Sequence, residues 1–398
     1  MKKLVLLAAS SLVASAAYAH GPEDHAGESH AAHSQKHVMI PEKDGVTVTG
    51  FMNVIGSHVS QDIDRGFRDT TLANDTEVHV NVRHTSDAGF AYGAVIELEA
   101  DVSEDFNEEG LNADKTFLFV ESGYGRAEAG AVTDAGSRLS ANPAHFARGT
   151  GGVHGDWFAV TAFPADPAGG HSHGDSPAHL GHENFIHSPS LPLHEMHGAA
   201  EDANKISYFS PRINGVQVGV SFIPDSGDAG TYLAATGKSG HREYGNVVNA
   251  GINAEHRFGD IRIEASAVGE YGNEEVPGHE DLKAYELAAQ VGYKRLTVGA
   301  AYGDWGTSVQ HATSDTPDGG YYALGADYDA GIIGVSVTYL DSKYLRNDLS
   351  AVSLGVDYKA IPGLTPFVEV TQASLDANDP AIADNDATVI QTGLLFNF

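Results

Sequence analysis

Apolar and polar residues alternate one for one, in segment after segment, from Val46 to the last residue. Val78, Val80 and Val82 alternate with Glu77, His79, Asn81 and Arg83. Farther on, Val248, Ala250, Ile252 and Ala254 alternate with Asn249, Gly251, Asn253 and Glu255, and Ile261, Ile263, Ala265 and Ala267 with Arg262, Glu264 and Ser266. A helix scatters such sets around its surface, whereas a strand gathers each on one face. The spacing predicts sixteen strands, at about 46–58, 75–86, 89–102, 112–122, 125–133, 204–210, 214–223, 247–258, 260–271, 282–293, 295–304, 319–329, 331–341, 349–359, 364–374 and 387–398. Seven joints between them are tight: Asp87-Ala88, Gly123-Tyr124, Arg212 to Gly215, Gly259, Lys294, Ala330 and Ile361-Pro362-Gly363. The remaining joints are longer and rich in Asp, Asn, Gly, Ser or His, and the two kinds alternate along the chain.

A barrel that crosses an outer membrane needs this pattern. Its strands span the bilayer in about 9–11 residues, with short turns on the periplasmic side and long loops outside. An even strand count lets the first strand pair with the last and removes both edges. A soluble β-sandwich also alternates, but sixteen strands in one sheet are foreign to it. In a large barrel the apolar set faces lipid and the polar set lines water. The fold expected is therefore all-β, a 16-stranded antiparallel transmembrane barrel, with one long connection of 133–203 between strands 5 and 6. Tyr208, Tyr271, Tyr293, Tyr302, Trp305, Tyr339 and Tyr358, near strand ends, fit girdles at the two bilayer interfaces.

The first nineteen residues fix the expected compartment. Lys2 and Lys3 precede an apolar run from Leu4 to Val13, and Ala17-Tyr18-Ala19 is an A-x-A cleavage site. This is a secretory signal peptide. After it, no run approaches the roughly 18 apolar residues of a membrane helix. Residues 20–45, acidic and His-rich with Pro22 and Pro41, read as a flexible periplasmic tail, and 46–398 as the barrel. Cysteine is absent, so no disulfide framework supports the fold. The formal charge of −31 argues against nucleic acid as a partner. No G-x-S-x-G, H-E-x-x-H, Walker or G-x-G-x-x-G unit is present, so the expectation is a channel and not an enzyme, with no cofactor required.

The final segment has Ile390, Leu394, Phe396 and Phe398 on one face, and the sequence ends on that Phe. Such an ending resembles the assembly signature of outer-membrane barrels. The chain as a whole, from about Val46 to Phe398, resembles the Gram-negative general porins of the alphaproteobacterial type. The clearest block is NKISYFSPRINGVQVGVSFIPD at Asn204–Asp225, similar to that family's strand pair joined by a short Pro-containing turn. GYGRAEAGAV at Gly123–Val132 and the closing IPGLTPFVEV … TVIQTGLLFNF match in character. The resemblance implies a homotrimer in the outer membrane, surrounded by lipid and lipopolysaccharide. It implies a third extracellular loop folded into the pore as a constriction, and passage of small hydrophilic solutes and ions.

In that family the loop's acids face arginines on the wall. GGVHGDWF at Gly151–Phe158 is similar to its glycine-rich loop with an acid and an aromatic. Asp134, Asp156 and Asp166 are the matching acids, and Arg83, Arg126 and Arg257 the matching arginines by inward parity. The loop departs from the pattern in its length and its histidines.

Of 21 histidines, five fall at 20–37 and nine at 145–197. His171, His173, His179, His182, His187, His194 and His197, among carboxylates, are candidate ligands for Zn, Cu or Ni. Their irregular spacing specifies no tetrahedral site, and the sequence leaves calcium open. A substrate-selective, metal-binding channel is thus the alternative to simple diffusion. The glycine-rich half, Thr133–Phe163, is expected to line the constriction, and the His-rich half to project toward the vestibule or outside. Inward acids outnumber inward arginines, which favours a modest cation preference.

Overall fold

The computed structural model describes residues 43–63, 68–100, 113–164, 180–196, 203–227, 244–308, 310–312 and 315–398. The expected leader and nearly all of the expected tail lie outside them. Sixteen antiparallel strands close into one barrel, each hydrogen-bonded to its sequence neighbours and the first to the last. They are β1 (Gly45–Gln61), β2 (Thr70–Thr85), β3 (Ala91–Glu99), β4 (Ala113–Ser122), β5 (Gly125–Ala131), β6 (Asn204–Phe209), β7 (Val216–Asp225) and β8 (Tyr244–Phe258). The second half comprises β9 (Ile261–Glu274), β10 (Leu282–Tyr293), β11 (Leu296–Gly306), β12 (Gly319–Asp329), β13 (Ile333–Tyr344), β14 (Asn347–Tyr358), β15 (Leu364–Asp376) and β16 (Asn385–Asn397).

Strand β10 displays the logic of the wall. Tyr285, Leu287, Val291 and Tyr293 face out, while Ala284, Glu286, Ala288 and Gln290 face in and are buried. The apolar side of such a strand gains stability only where lipid replaces water, so the outer surface is a membrane surface. Outward Tyr293, Tyr328 and Tyr358 lie by the short turns, and Tyr271, Tyr285 and Tyr322 toward the other end, with Val and Leu between.

The seam between β1 and β16 pairs Phe51 with Asn397 and runs to Gln61 with Ala387. Gly50 N donates to Phe398 O at 2.9 Å and Phe398 N to Gly50 O at 3.0 Å. The last residue is therefore part of the closure. A side chain at Gly50 would meet the Phe398 ring, so the seam also needs a residue without Cβ there.

Three local features differ from expectation. The connection after β13 is a two-residue hairpin, not a long loop: Leu345 and Arg346 both have positive φ, 52° and 69°. Leu-Arg carries none of the Asn-Gly chemistry that normally marks such a turn, and Leu345 is held by packing on the interior cluster. Trp305 is not in a girdle but wholly buried inside the barrel. Strand β4 is apolar on both faces, because Phe117 and Phe119 point inward and cluster with Val95 and Val132.

Candidate constriction site

The connection from β5 to β6 turns into the barrel and lies along its inner wall. Its outward leg begins at α1 (Ala135–Leu139), which Asp134 caps by accepting from Ser137 N at 2.9 Å. From there the leg meets successive strands. Ala135 N donates to Ser221 Oγ of β7 (2.9 Å), Gly136 N to Asn249 Oδ1 of β8 (2.5 Å) and Ala141 N to Ser266 Oγ of β9 (2.8 Å). Ser140 Oγ and Asn142 Nδ2 donate to Glu286 of β10, the latter at 2.9 Å. Val153 N reaches Thr338 Oγ1 of β13 (3.1 Å), and Gly152 N donates to both oxygens of Glu369 on β15 (3.1 Å each). Ala162 N ends the leg on Gln61 Oε1 of β1 at 2.8 Å.

A return leg runs back over the same wall. Asn347 of β14 donates to Asn184 O (3.1 Å), Ser342 of β13 to Ile186 O (2.6 Å) and Trp305 Nε1 of β11 to Ser190 O (2.8 Å). Leu193 N, in α2 (Pro192–Met196), donates to Glu270 of β9 at 3.0 Å. Phe185, Ile186, Leu191 and Leu193 are buried on this leg. The His-rich half is expected from sequence to project toward the vestibule or outside; its described part, 180–196, is instead packed against the inner wall. The physical reason is these four apolar side chains, which the polar and proline-rich composition around them obscures.

Arg148 is the central anchor. It is 1% exposed, and its Nε and Nη2 donate to the two oxygens of Asp327 on β12 (2.7 and 2.8 Å), while Nη1 donates to Asp357 on β14 (3.2 Å). The fork matches a carboxylate bidentately. Burial opposes its charge, but the bonds and charges of Asp327 and Asp357 outweigh burial and hold its pKa above the ordinary value.

The wall is carved to receive the loop. Leu139 lies against Gly219 and Gly251, Pro143 against Gly299 and Gly325, and Arg148 against Gly334 and Gly355. A Cβ on Gly325 would stand 2.6 Å from Pro143 O, and one on Gly355 would collide with the Arg148 carbonyl. These inward glycines thus have a packing reason: close approach of a second layer of chain.

The candidate residues from sequence are placed as follows. Arg83 and Arg126 converge on Glu121 Oε2, each at 3.4 Å. Arg126 also pairs with Glu128 and lies 4.3 Å over the Phe119 ring. Arg257 is apart from them, exposed at the short-turn end of β8 beside Arg262. Asp134 serves as the helix cap, and Asp156 opens a 3₁₀ turn at Asp156–Val160. Asp166, His171, His173, His179 and His197 lie outside the described residues, as does the side chain of His182. His187 packs on Phe158 at 4.2 Å, and His194 stacks on His154 at 5.7 Å. Neither belongs to a cluster of three metal-ligating side chains among the described residues.

Sequence reasoning missed Arg148, and Arg138, which donates to Glu128 of β5 at 2.6 Å. Acids are not what anchors most of the loop; much of its anchoring comes from donors: backbone N–H groups, Ser, Thr, Asn and Arg. Wall carboxylates accept. The signal available was Arg148 set between an apolar stretch and Gly149-Thr150-Gly151-Gly152.

Among relatives, an uncharacterised protein of Rickettsia conorii is 26% identical over 321 residues, covering 65% of this chain and 69% of that protein. One from Rickettsia prowazekii is 27% identical over 312 residues, covering 64% and 68%. Among solved structures, a mutant of Rhodopseudomonas blastica porin superposes with a TM-score of 0.58 at 17% identity, covering 89% of this chain and all of that one. A triple mutant of that porin gives 0.56 at 16% identity with the same coverage. The closed sixteen-stranded barrel is thus shared with porins. The sequence profile of Gram-negative porins matches residues 4–378, and the chain belongs to that family, as an outer-membrane channel.

Proposed function

We propose that small hydrophilic solutes and ions diffuse through a slit between the loop and the β2–β4 wall, and that the slit prefers cations. The observation that carries this is the run of loop anchors from β7 round to β1. The wall left beside it, β2 to β4, bears Asp75, Glu77, His79, Arg83, Glu97, Glu99, Lys115 and Glu121 on its inner face. Arg83, Arg126, Asp134 and Asp156 then border the passage, with Arg257 nearer its periplasmic mouth.

Not every inward acid contributes to selectivity. Glu286, Asp357 and Glu369 are buried under the loop and engaged by it. Asp75, Glu77, Glu99, Glu255 and Glu264 remain as the less buried carboxylates. Carboxylates lining a pore favour cations, and salt screens them, with a Debye length of about 10 Å at 0.1 M and about 3 Å at 1 M. Reversal potentials across a KCl gradient in planar bilayers are expected to be cation-selective, more so in dilute salt. Anion preference would refute the reading.

The channel assembles as a homotrimer within lipid and lipopolysaccharide. Support comes from β5 and β6, of 7 and 6 residues, against the roughly 9–11 that a spanning strand needs. A neighbouring copy against that side would cover the short section. Residues 1–19 serve as the export signal and 20–45 as a periplasmic tail.

A further inference from the structure

The loops that follow β9 and β11 meet beyond the strand ends, on the long-loop side of the barrel. Ala312 N donates to Gly278 O at 2.7 Å and Glu280 N to Gln310 O at 2.9 Å, with His279 and His311 opposite each other between these bonds. In an antiparallel pair, residues flanked by the bonds are the close kind, with Cα atoms about 4.5 Å apart and both side chains on one face. The two imidazole rings accordingly lie 5.1 Å apart, centroid to centroid. Neither histidine belongs to the dense stretches at 20–37 and 145–197.

The pair is held from both loops. Lys283 N donates to Ser308 Oγ (2.9 Å), Ser308 Oγ donates to Lys283 O (3.1 Å), and Tyr344 Oη donates to Ser308 O (3.1 Å). Gln310 is buried and donates through Nε2 to Pro317 O at 3.2 Å. On the other loop, Gly278 turns the chain with φ of 94°, and His279 N donates to Val276 O at 3.2 Å. His311 Nε2 stands 3.3 Å from the point a Cβ on Gly278 would occupy, so it lies over the backbone next to His279.

Two observations point from this pair to a metal. Two imidazoles on one tetrahedral ion, with metal–N distances of about 2.0–2.1 Å, have centroids about 5 Å apart, which is the spacing found. Independently, His279 Nδ1 is buried with no hydrogen-bond partner among the described residues. Ring packing explains the spacing but leaves that nitrogen unsatisfied, which is costly; ligation accounts for both. Around His279, Glu274, Glu275, Glu280 and Asp281 stand against one nearby cation in the sequence, Lys283, which reaches Asp281 at 4.0 Å.

We infer that His279 and His311 bind one transition-metal ion of the zinc, copper and nickel group, which imidazole suits. The ion ties the two loops together on the outer face, and water completes its coordination. The site goes beyond the channel reading and does not depend on it.

Diethyl pyrocarbonate footprinting with residue-level mass spectrometry tests the site on the folded, detergent-solubilised full chain, with zinc chloride as the probe. Reading each histidine separately keeps the histidine-dense stretches out of the result. In wild type, zinc is expected to slow modification of His279 and His311 with one shared half-effect concentration. At about ten times that concentration the slowing is about tenfold. His279→Phe keeps a ring against His311 but removes the ligand nitrogens. The zinc needed to protect His311 is then expected to rise more than about tenfold, since even loss of a supporting contact costs a metal site that much. His311→Phe is expected to do the same at His279. His84, exposed at the short-turn end of β2, is the control that zinc leaves unchanged. Heat-dependent gel mobility verifies each barrel, and the coincidence of the two wild-type titrations needs no variant. Failure of zinc to protect His311 in the folded wild type would overturn the site. So would protection that survives His279→Phe, half-effect concentrations that differ between the two histidines, or equal protection by magnesium, which takes oxygen ligands.

Discussion

Arg148→Ala is expected to raise single-channel conductance and to make the open level noisy, while the barrel still assembles. The substitution leaves Asp327 and Asp357 without their guanidinium partner. Removing one member of a buried ion pair costs about 3–5 kcal/mol when the other charge stays buried. Here the carboxylates have an escape: if the outward leg lifts from the wall, lumen water rehydrates them. The penalty therefore appears as loop undocking rather than barrel unfolding. Arg148→Lys is expected to fall between, because an ammonium keeps the charge but not the bidentate fork. Planar-bilayer recordings decide it. Unchanged conductance and noise in Arg148→Ala would mean that this anchor does not hold the loop.

The second large effect separates two deletions that composition alone does not distinguish. Leu180 N donates to Pro164 O at 3.0 Å, so the chain leaves the described loop after 164 and re-enters it at 180 at one point. Replacing 165–179 by a short glycine linker is expected to preserve trimer, conductance and thermal stability. Removing 180–196 takes out Phe185, Ile186, Leu191 and Leu193, each worth about 1.5–3 kcal/mol when fully buried. It also takes the Ser190 carbonyl from Trp305 and the Leu193 N–H from Glu270. A fall in the unfolding temperature or in the yield of assembled channel is expected, with higher conductance in the channels that form. Equal behaviour of the two deletions would show that the return leg contributes no packing.

The barrel was legible in the sequence because a strand's period of two makes every residue report its face. Sixteen segments, the short-turn end and the long 5–6 connection all follow from that rule and match the fold. The hairpin at Leu345-Arg346 was not legible, since its conformation is imposed by tertiary packing against turn propensity. Trp305 sits near a strand end, as a girdle residue does. Its inward face is set by strand register, and its role by a loop carbonyl more than a hundred residues away in sequence. The constriction was legible only as a region. Inward parity identifies wall acids, yet it cannot separate Glu369, satisfied by Gly152 N, from Glu77, paired with His79 of its own strand. That distinction depends on where the loop lies. The histidines drew attention by number, while the four buried apolar residues among them decide how the return leg packs.

A loop clamped along the inner wall is the central claim, and a disulfide tests it most directly. The chain has no cysteine, so an engineered pair has no native competitor. A Cβ at Gly152 would lie 3.6 Å from Thr338 Cβ, within the roughly 3.5–4.5 Å that a disulfide spans. Gly152 has φ of +63°, so a cysteine there costs about 1–2 kcal/mol of backbone strain, which the bond can bear. In Gly152→Cys/Thr338→Cys the bond is expected to form in the assembled channel, with the same conductance before and after reduction. Thiols that stay reduced in the folded barrel, or a conductance that drops severalfold on oxidation, would contradict the account, because the loop would then rest somewhere other than against β13.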